Sequence, residues 1–253
     1  MTRFALALFD LDDTLLDHRS AVVRGIRSHV DALGSPYSDG RIDSVTLWHE
    51  LEDAHYHRYL SGELTFAEQR RTRAVAFADA HGVALTDELA DQWFDDYFVH
   101  YRESWTLFDD ALPCLDAVAA AGAQIGVITN GDPDFQQVKL ERTGLEGRFA
   151  HVVASGAVGV AKPDPAIFTA TCDRFGVDPA DALYIGDRLM TDAVGAARAG
   201  LTGVWLNRFG DDLPEGALGH GSGTDAAPER IVEDNGVITV SSLGELSALV
   251  SGR

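Results

Sequence analysis

Lysine is almost missing from this chain: of 253 residues only Lys139 and Lys162 are lysines, and every other strong base is an arginine. Positive charge is scarce altogether, with 20 Lys and Arg against 40 Asp and Glu and a formal net charge of -20. Such a surface repels polyanions, which argues against a nucleic-acid polymer or an anionic membrane as the main partner. An anionic substrate would need local positive charge or a metal to offset that field. Cysteine is down to Cys114 and Cys172, far apart and without metal-ligand spacing, so reduced thiols are expected. No apolar run approaches the length of a membrane span. The apolar stretch at residues 4–9 is cut short by Asp10, Asp12 and Asp13, unlike a secretory leader. A cytoplasmic protein, monomeric or homodimeric, is the expectation.

What is present is ordinary globular composition, 45% hydrophobic and 24% charged, in a chain long enough for a catalytic domain carrying a smaller one. Short apolar runs at 4–9, 124–129, 151–155, 182–186 and 203–206 read as buried strands. Helix-like stretches at 110–121, 133–143, 165–175 and 191–199 lie between them. Continuous apolar strands alternating with helices predict an α/β fold, a parallel sheet covered on both faces. In such sheets the ligand sits at the carboxyl ends of the strands. A last strand near 237–240 and a helix over 243–250 close the core, and the Gly/Ser-rich residues 215–225 read as a mobile loop.

Residues 16–107 break the alternation with helix-period patterns and no strand, which predicts a helical insertion. The core is then 1–15 with 108–253. Phe94, Phe98, Tyr101 and Trp105 have the spacing of one helix face, either packed as core or offered as a stacking surface. His49, His55 and His57 invite a metal reading, but two residues apart on a helix is a turn of about 200°. Solvated or interfacial histidines are the better expectation.

Four strand ends carry candidate chemistry. The first strand runs into Asp10-Leu11-Asp12, two carboxylates that can point to the same side of the sheet edge. Alone this is an acidic turn. In context, Asp10 can attack phosphorus while Asp12 protonates the leaving alcohol and later activates water. The second strand ends in Thr129-Asn130-Gly131, a hydroxyl and bare amides suited to phosphoryl oxygens. Lys162 stands before proline in VAKPDP, held extended, as suits a side chain aimed across a cleft. The strand at 182–186 leads into Asp187 and Asp192, carboxylates of the kind magnesium prefers, with Thr191 as a plausible helix cap.

FDLDDTL, TNG, the lysine of VAKPDP and GDRLMTD, in that order, resemble the four motifs of the haloacid dehalogenase superfamily. The resemblance spans nearly the whole chain and points to the phosphatase branch with a helical cap inserted after the first motif. It implies a Rossmann-like, doubly wound core acting on a small phosphorylated metabolite with Mg2+. By that resemblance Asp10 is nucleophile and metal ligand, and Asp12 is general acid/base and lends its backbone carbonyl to the metal. Thr129 and Lys162, with Asn130 and Gly131, hold the phosphoryl group, and Asp187 with Asp192 completes the metal site. Dehalogenases of the superfamily need no metal and lack the second carboxylate that Asp12 provides. Phosphonatases use a cap lysine, and 16–107 has none. A sugar-phosphate mutase shares all four motifs, and a binding protein on a retired enzyme fold would be expected to have lost one of them.

Overall fold

A computed structural model of the chain describes residues 4–210 and 228–251; the stretch 215–225, read above as a loop, lies outside the described residues. The chain divides into two compact units, one made of Met1–Asp17 with Leu107–Arg253 and the other of His18–Thr106.

The first unit is the α/β core. Its strands are β1 (Leu6–Phe9), β2 (Gln124–Thr129), β3 (His151–Ala154), β4 (Ala182–Gly186), β5 (Thr202–Leu206) and β6 (Ile238–Val240). They form one parallel sheet in the order β3-β2-β1-β4-β5-β6: the parallel sheet is the one that the apolar runs predicted, and its order is that of the doubly wound core implied by the resemblance. Every residue of β1 and β4 is buried, on both faces alike, which is why these strands read as unbroken apolar runs. Four helices of the second unit, α1 (His18–Leu33), α2 (Ser44–Leu60), α3 (Phe66–Ala80) and α4 (Asp87–Glu103), come between β1 and β2 in sequence. The core's own helices are α5 (Ala111–Ala120), α6 (Pro133–Arg142), α7 (Ser155–Val158), α8 (Pro165–Phe175), α9 (Gly195–Arg198), α10 (Pro228–Asn235) and α11 (Leu243–Ser251). Ile167, Phe168, Cys172 and Phe175 of α8 bury Leu6, Leu8, Ile128 and Tyr184 of the sheet. Cys114 and Cys172 are both buried and not joined in a disulfide.

The helical unit is built on good local signals. Asp43, Thr65 and Thr86 cap α2, α3 and α4, and Thr65 forms a reciprocal capping box with Glu68. Helices α1 and α4 approach closely at Gly25, where a Cβ would meet the Tyr101 Cα at 2.8 Å. Trp48 is the hub of the interior, with Tyr97, Trp93 and Phe77 ring centroids at 4.6, 5.4 and 5.5 Å. The aromatic face expected on one helix is shorter than its spacing suggested. Helix α4 stops at Glu103 and Ser104 caps it, so Trp105 lies beyond the helix, its ring edge-on to Tyr101. Phe94, Tyr101 and Trp105 are buried, as core side chains are. No helix among the described residues is long and apolar enough to cross a membrane.

Candidate active site

Asp10 follows the last residue of β1, in the middle of the sheet, and its N–H is tied to the Ile185 carbonyl at 2.8 Å. The neighbouring strand β2 ends in Thr129, and β4, on the other side, ends in Gly186 with Asp187 next. Adjacent parallel strands thus deliver Asp10, Thr129 and Asp187, all buried, to one edge of the sheet. Asp13 takes the left-handed conformation (φ 55) that turns the chain back after the first motif, a position an aspartate tolerates better than most residues.

Lys162 spends all three of its donors here. Its buried Nζ donates to Asp10 Oδ1 at 2.7 Å, to Asp192 Oδ1 at 2.7 Å and to the Tyr184 hydroxyl at 2.6 Å. That hydroxyl donates onward to the Ile128 carbonyl at 3.0 Å. The backbone of Lys162 is gripped by Asn130, whose Oδ1 accepts the Lys162 N–H at 2.9 Å while Nδ2 donates to the Lys162 carbonyl at 3.0 Å. These two bonds are made by the Asn130 side chain; of the turn amides expected to face a phosphoryl group, the Gly131 N–H instead donates to Ser155 Oγ at 2.8 Å. Turn amides and carbonyls at a buried strand end need partners of their own, and these are the ones at hand.

Asp192 departs from the sequence reading too. Residues Leu189–Val194 form a π-helix, and Arg188 precedes it, so Thr191 caps nothing. Asp192 itself reaches back, its Oδ2 accepting the Arg188 N–H at 3.0 Å. Gly186 makes room for this, since a Cβ there would run into the Asp192 carboxyl group. With Oδ1 on Lys162 and Oδ2 on Arg188, Asp192 lies fully buried behind Asp10 and Asp187.

Asp12 has a partner that spacing could not reveal. Both its carboxylate oxygens accept from Lys139 Nζ, at 2.7 and 2.6 Å. Tyr184, Ser155 and Lys139 are the site residues the sequence reading missed. For Lys139 a signal existed, because lysine is so rare here; for the other two there was none.

Burial pushes the Asp10 carboxyl up to about 7; Lys162 pulls against that shift and Asp192 adds to it. Burial also raises Asp187 well above the carboxylate range, reinforced by Asp13 and Asp192. For Lys162, burial opposes the charge, but Asp10 and Asp192 outweigh it and the net shift is upward. The site therefore holds more carboxylate than one lysine neutralises. Asp10, Asp187 and Asp192 each bring an oxygen within 4.8 Å of the others. A buried, all-oxygen, anion-rich donor set of this kind fits a hard divalent cation such as magnesium. His55 and His57 have other company: the His55 ring lies beside Arg58, and His57 Nδ1 bonds the Asp53 carbonyl at 2.6 Å.

The model of the haloacid dehalogenase-like hydrolases matches residues 4–200. A phosphoserine phosphatase of Thermus thermophilus is 31% identical over 231 residues, 80% of this chain and 88% of that protein. The pyrimidine 5'-nucleotidase YjjG of Escherichia coli is 42% identical over 115 residues, 45% of this chain and 51% of that one. Among solved structures, the magnesium-bound HAD-hydrolase YfnB of Bacillus subtilis shares the fold at a TM-score of 0.76 with 23% identity, covering 99% of this chain and 100% of its own. With Asp10, Thr129 and Asp187 at the ends of adjoining strands, Lys162 bonded to Asp10, and a family match over most of its length, the chain belongs to the haloacid dehalogenase-like hydrolases.

Proposed function

We propose that this protein is a magnesium-dependent phosphatase that hydrolyses a small phosphate monoester through an aspartyl-phosphate on Asp10. The observation that carries the reading is the buried Asp10 carboxylate at the end of the central strand, bonded to Lys162 and grouped with Asp187 and Asp192. Asp10 attacks phosphorus, the bond to the leaving oxygen breaks, and Asp12 gives that oxygen its proton. Asp12 then takes a proton from water, which attacks the acyl phosphate and frees phosphate and Asp10. Lys162 offsets charge on the phosphoryl oxygens, and Thr129 offers a hydroxyl donor from the neighbouring strand end. Asp10, Asp187 and the Asp12 backbone carbonyl would hold the cation, with Asp192 behind them. Once bound, magnesium supplies the positive charge that lets a carboxylate approach a phosphate.

Both relatives with named substrates act on small phosphorylated molecules, and they differ in which. Selectivity for the leaving group therefore falls to the inserted helical unit rather than to the shared core. Phe94, Tyr101 and Trp105 are buried, which leaves little of that aromatic face for stacking against a nucleobase. The test is turnover of nucleotides, sugar phosphates, short acid phosphates and a 2-haloacid, with magnesium and in excess chelator. We expect kcat/KM highest on one small phosphate ester, abolished by chelation and restored by magnesium. Halide release, or full activity in chelator, would overturn the reading in favour of a dehalogenase.

A further inference from the structure

Lys139 has no part in the reading above, yet it is 1% exposed, buried on α6. Gln136, Lys139 and Leu140 form the buried side of that helix, so Lys139 points inward. The helix is pinned to the turn after β2: Asp132 caps it through the Phe135 N–H at 2.9 Å, and Gln136 Nε2 donates to the Asn130 carbonyl at 3.1 Å. Its Nζ lies 4.7 Å from the centroid of the Phe135 ring and bonds both oxygens of Asp12. The two lysines of the chain thus grip two of the three carboxylates of the first motif, Lys162 holding Asp10 and Lys139 holding Asp12.

The pair is lopsided. The Asp12 side chain is 27% exposed and retains contact with solvent, whereas that of Lys139 is 2% exposed and relies on its partner. A buried ammonium is a poor way to gain stability, because an apolar side chain of similar volume usually does as well or better. What the ammonium does supply is direction: bonding both oxygens fixes where the Asp12 carboxyl points. We propose that Lys139 is a positioning residue that orients the Asp12 carboxyl for proton transfer at the leaving oxygen. This rests on the reading of Asp12 as the general acid/base. Misplacement of a reacting group by about 1 Å is enough to lose on the order of 10²-fold in rate.

The experiment compares kcat and KM on an aryl phosphate, whose leaving group needs little protonation, and on an alkyl phosphate, whose leaving group needs it most. Asp12→Asn, Lys139→Met, Lys139→Arg and the Asp12→Asn/Lys139→Met double variant are measured with magnesium, each checked for a folded-state melt. Lys139→Met is expected to lower kcat on the alkyl ester by about 10²-fold, on the scale of lost acid–base catalysis, and on the aryl ester by a few-fold, with KM little changed. Lys139→Arg, which keeps the charge, should recover part of the alkyl activity. In the double variant the Lys139 change should add nothing to the loss from Asp12→Asn. Equal losses on both esters, or additive losses in the double variant, would overturn the proposal. If Lys139→Met does not fold, equal losses on both esters in Lys139→Arg would overturn it likewise. If Asp12→Asn itself fails to discriminate between the esters, the acid/base reading falls first. If Asp12→Asn discriminates and the Lys139 variants do not, only the positioning role falls.

Discussion

The core unit buries charge and the helical unit buries aromatic rings. In the core Asp10, Asp187, Asp192, Lys162 and Lys139 are all removed from water, Lys162 bonded to Asp10 and Asp192 and Lys139 to Asp12. In the helical unit the same depth is filled by Trp48, Phe77, Trp93, Phe94 and Tyr97. The one deeply buried cation there, Arg73, stacks over the Trp48 ring at 4.3 Å and pairs with Glu52 at 3.2 Å. Aromatic packing stabilises a fold without demanding particular partners, whereas buried charge is tolerated only where each group finds one. Charge concentrated against that cost is the physical mark of chemistry in the core.

The difference breaks most completely at Lys162. Lys162→Met leaves Asp10 and Asp192 facing each other without a cation, and turnover of an aryl phosphate should fall by roughly 10²- to 10³-fold. Breaking a buried pair one-sidedly should also lower stability by about 3–5 kcal/mol, read from denaturant melts. A variant as stable as the parent would mean that the network is not what holds these carboxylates.

A smaller effect sharpens the other side of the comparison. His29 is buried in the helical unit, edge-on to Trp93 at 4.4 Å and near Tyr97 and His100. Burial, with the charge of His100 adding to it and Asp96 opposing it, holds His29 at about 4 instead of 6.5. The unfolded chain takes up this proton near pH 6.5 while the folded chain refuses it until about 4. Stability is therefore complete above 6.5 and is lost as pH falls through that window, by roughly 3 kcal/mol. Melts followed by tryptophan emission should decline between those pH values, and His29→Met should flatten the decline. An equally steep decline in His29→Met would move the cause elsewhere.

How much of this was legible depended on the distance over which a signal acts. β2 and β4 run over the residues read from sequence, because a strand buried on both faces has to be an apolar run whatever surrounds it. Three of the four motifs were legible for a related reason, since Asp10, Thr129 and Asp187 lie at the ends of β1, β2 and β4, whereas Lys162 follows β3 only after α7. Lys139 was legible only as a rare lysine, since nothing in PDFQQVKLER points to a partner 127 residues away. The partners of the Asn130 side chain were no more legible: Asn-Gly announces a turn, but only the arrival of Lys162 beside it shows what that side chain will hold. At the π-helix Leu189–Val194 Asp192 folds back onto the Arg188 N–H, a local arrangement that propensity for a helix cap at Thr191 does not anticipate.

The central claim is that Asp10 carries the phosphoryl group during turnover. Enzyme mixed with magnesium and an aryl phosphate, quenched in acid while substrate is still in excess, can be digested and searched by mass spectrometry for an acyl phosphate. The account predicts one phosphoryl group on Asp10, and none in Asp10→Asn, whose turnover should be lower by about 10⁴-fold or more. Turnover without a covalent phosphate, or a phosphoryl group on any other residue, would contradict it.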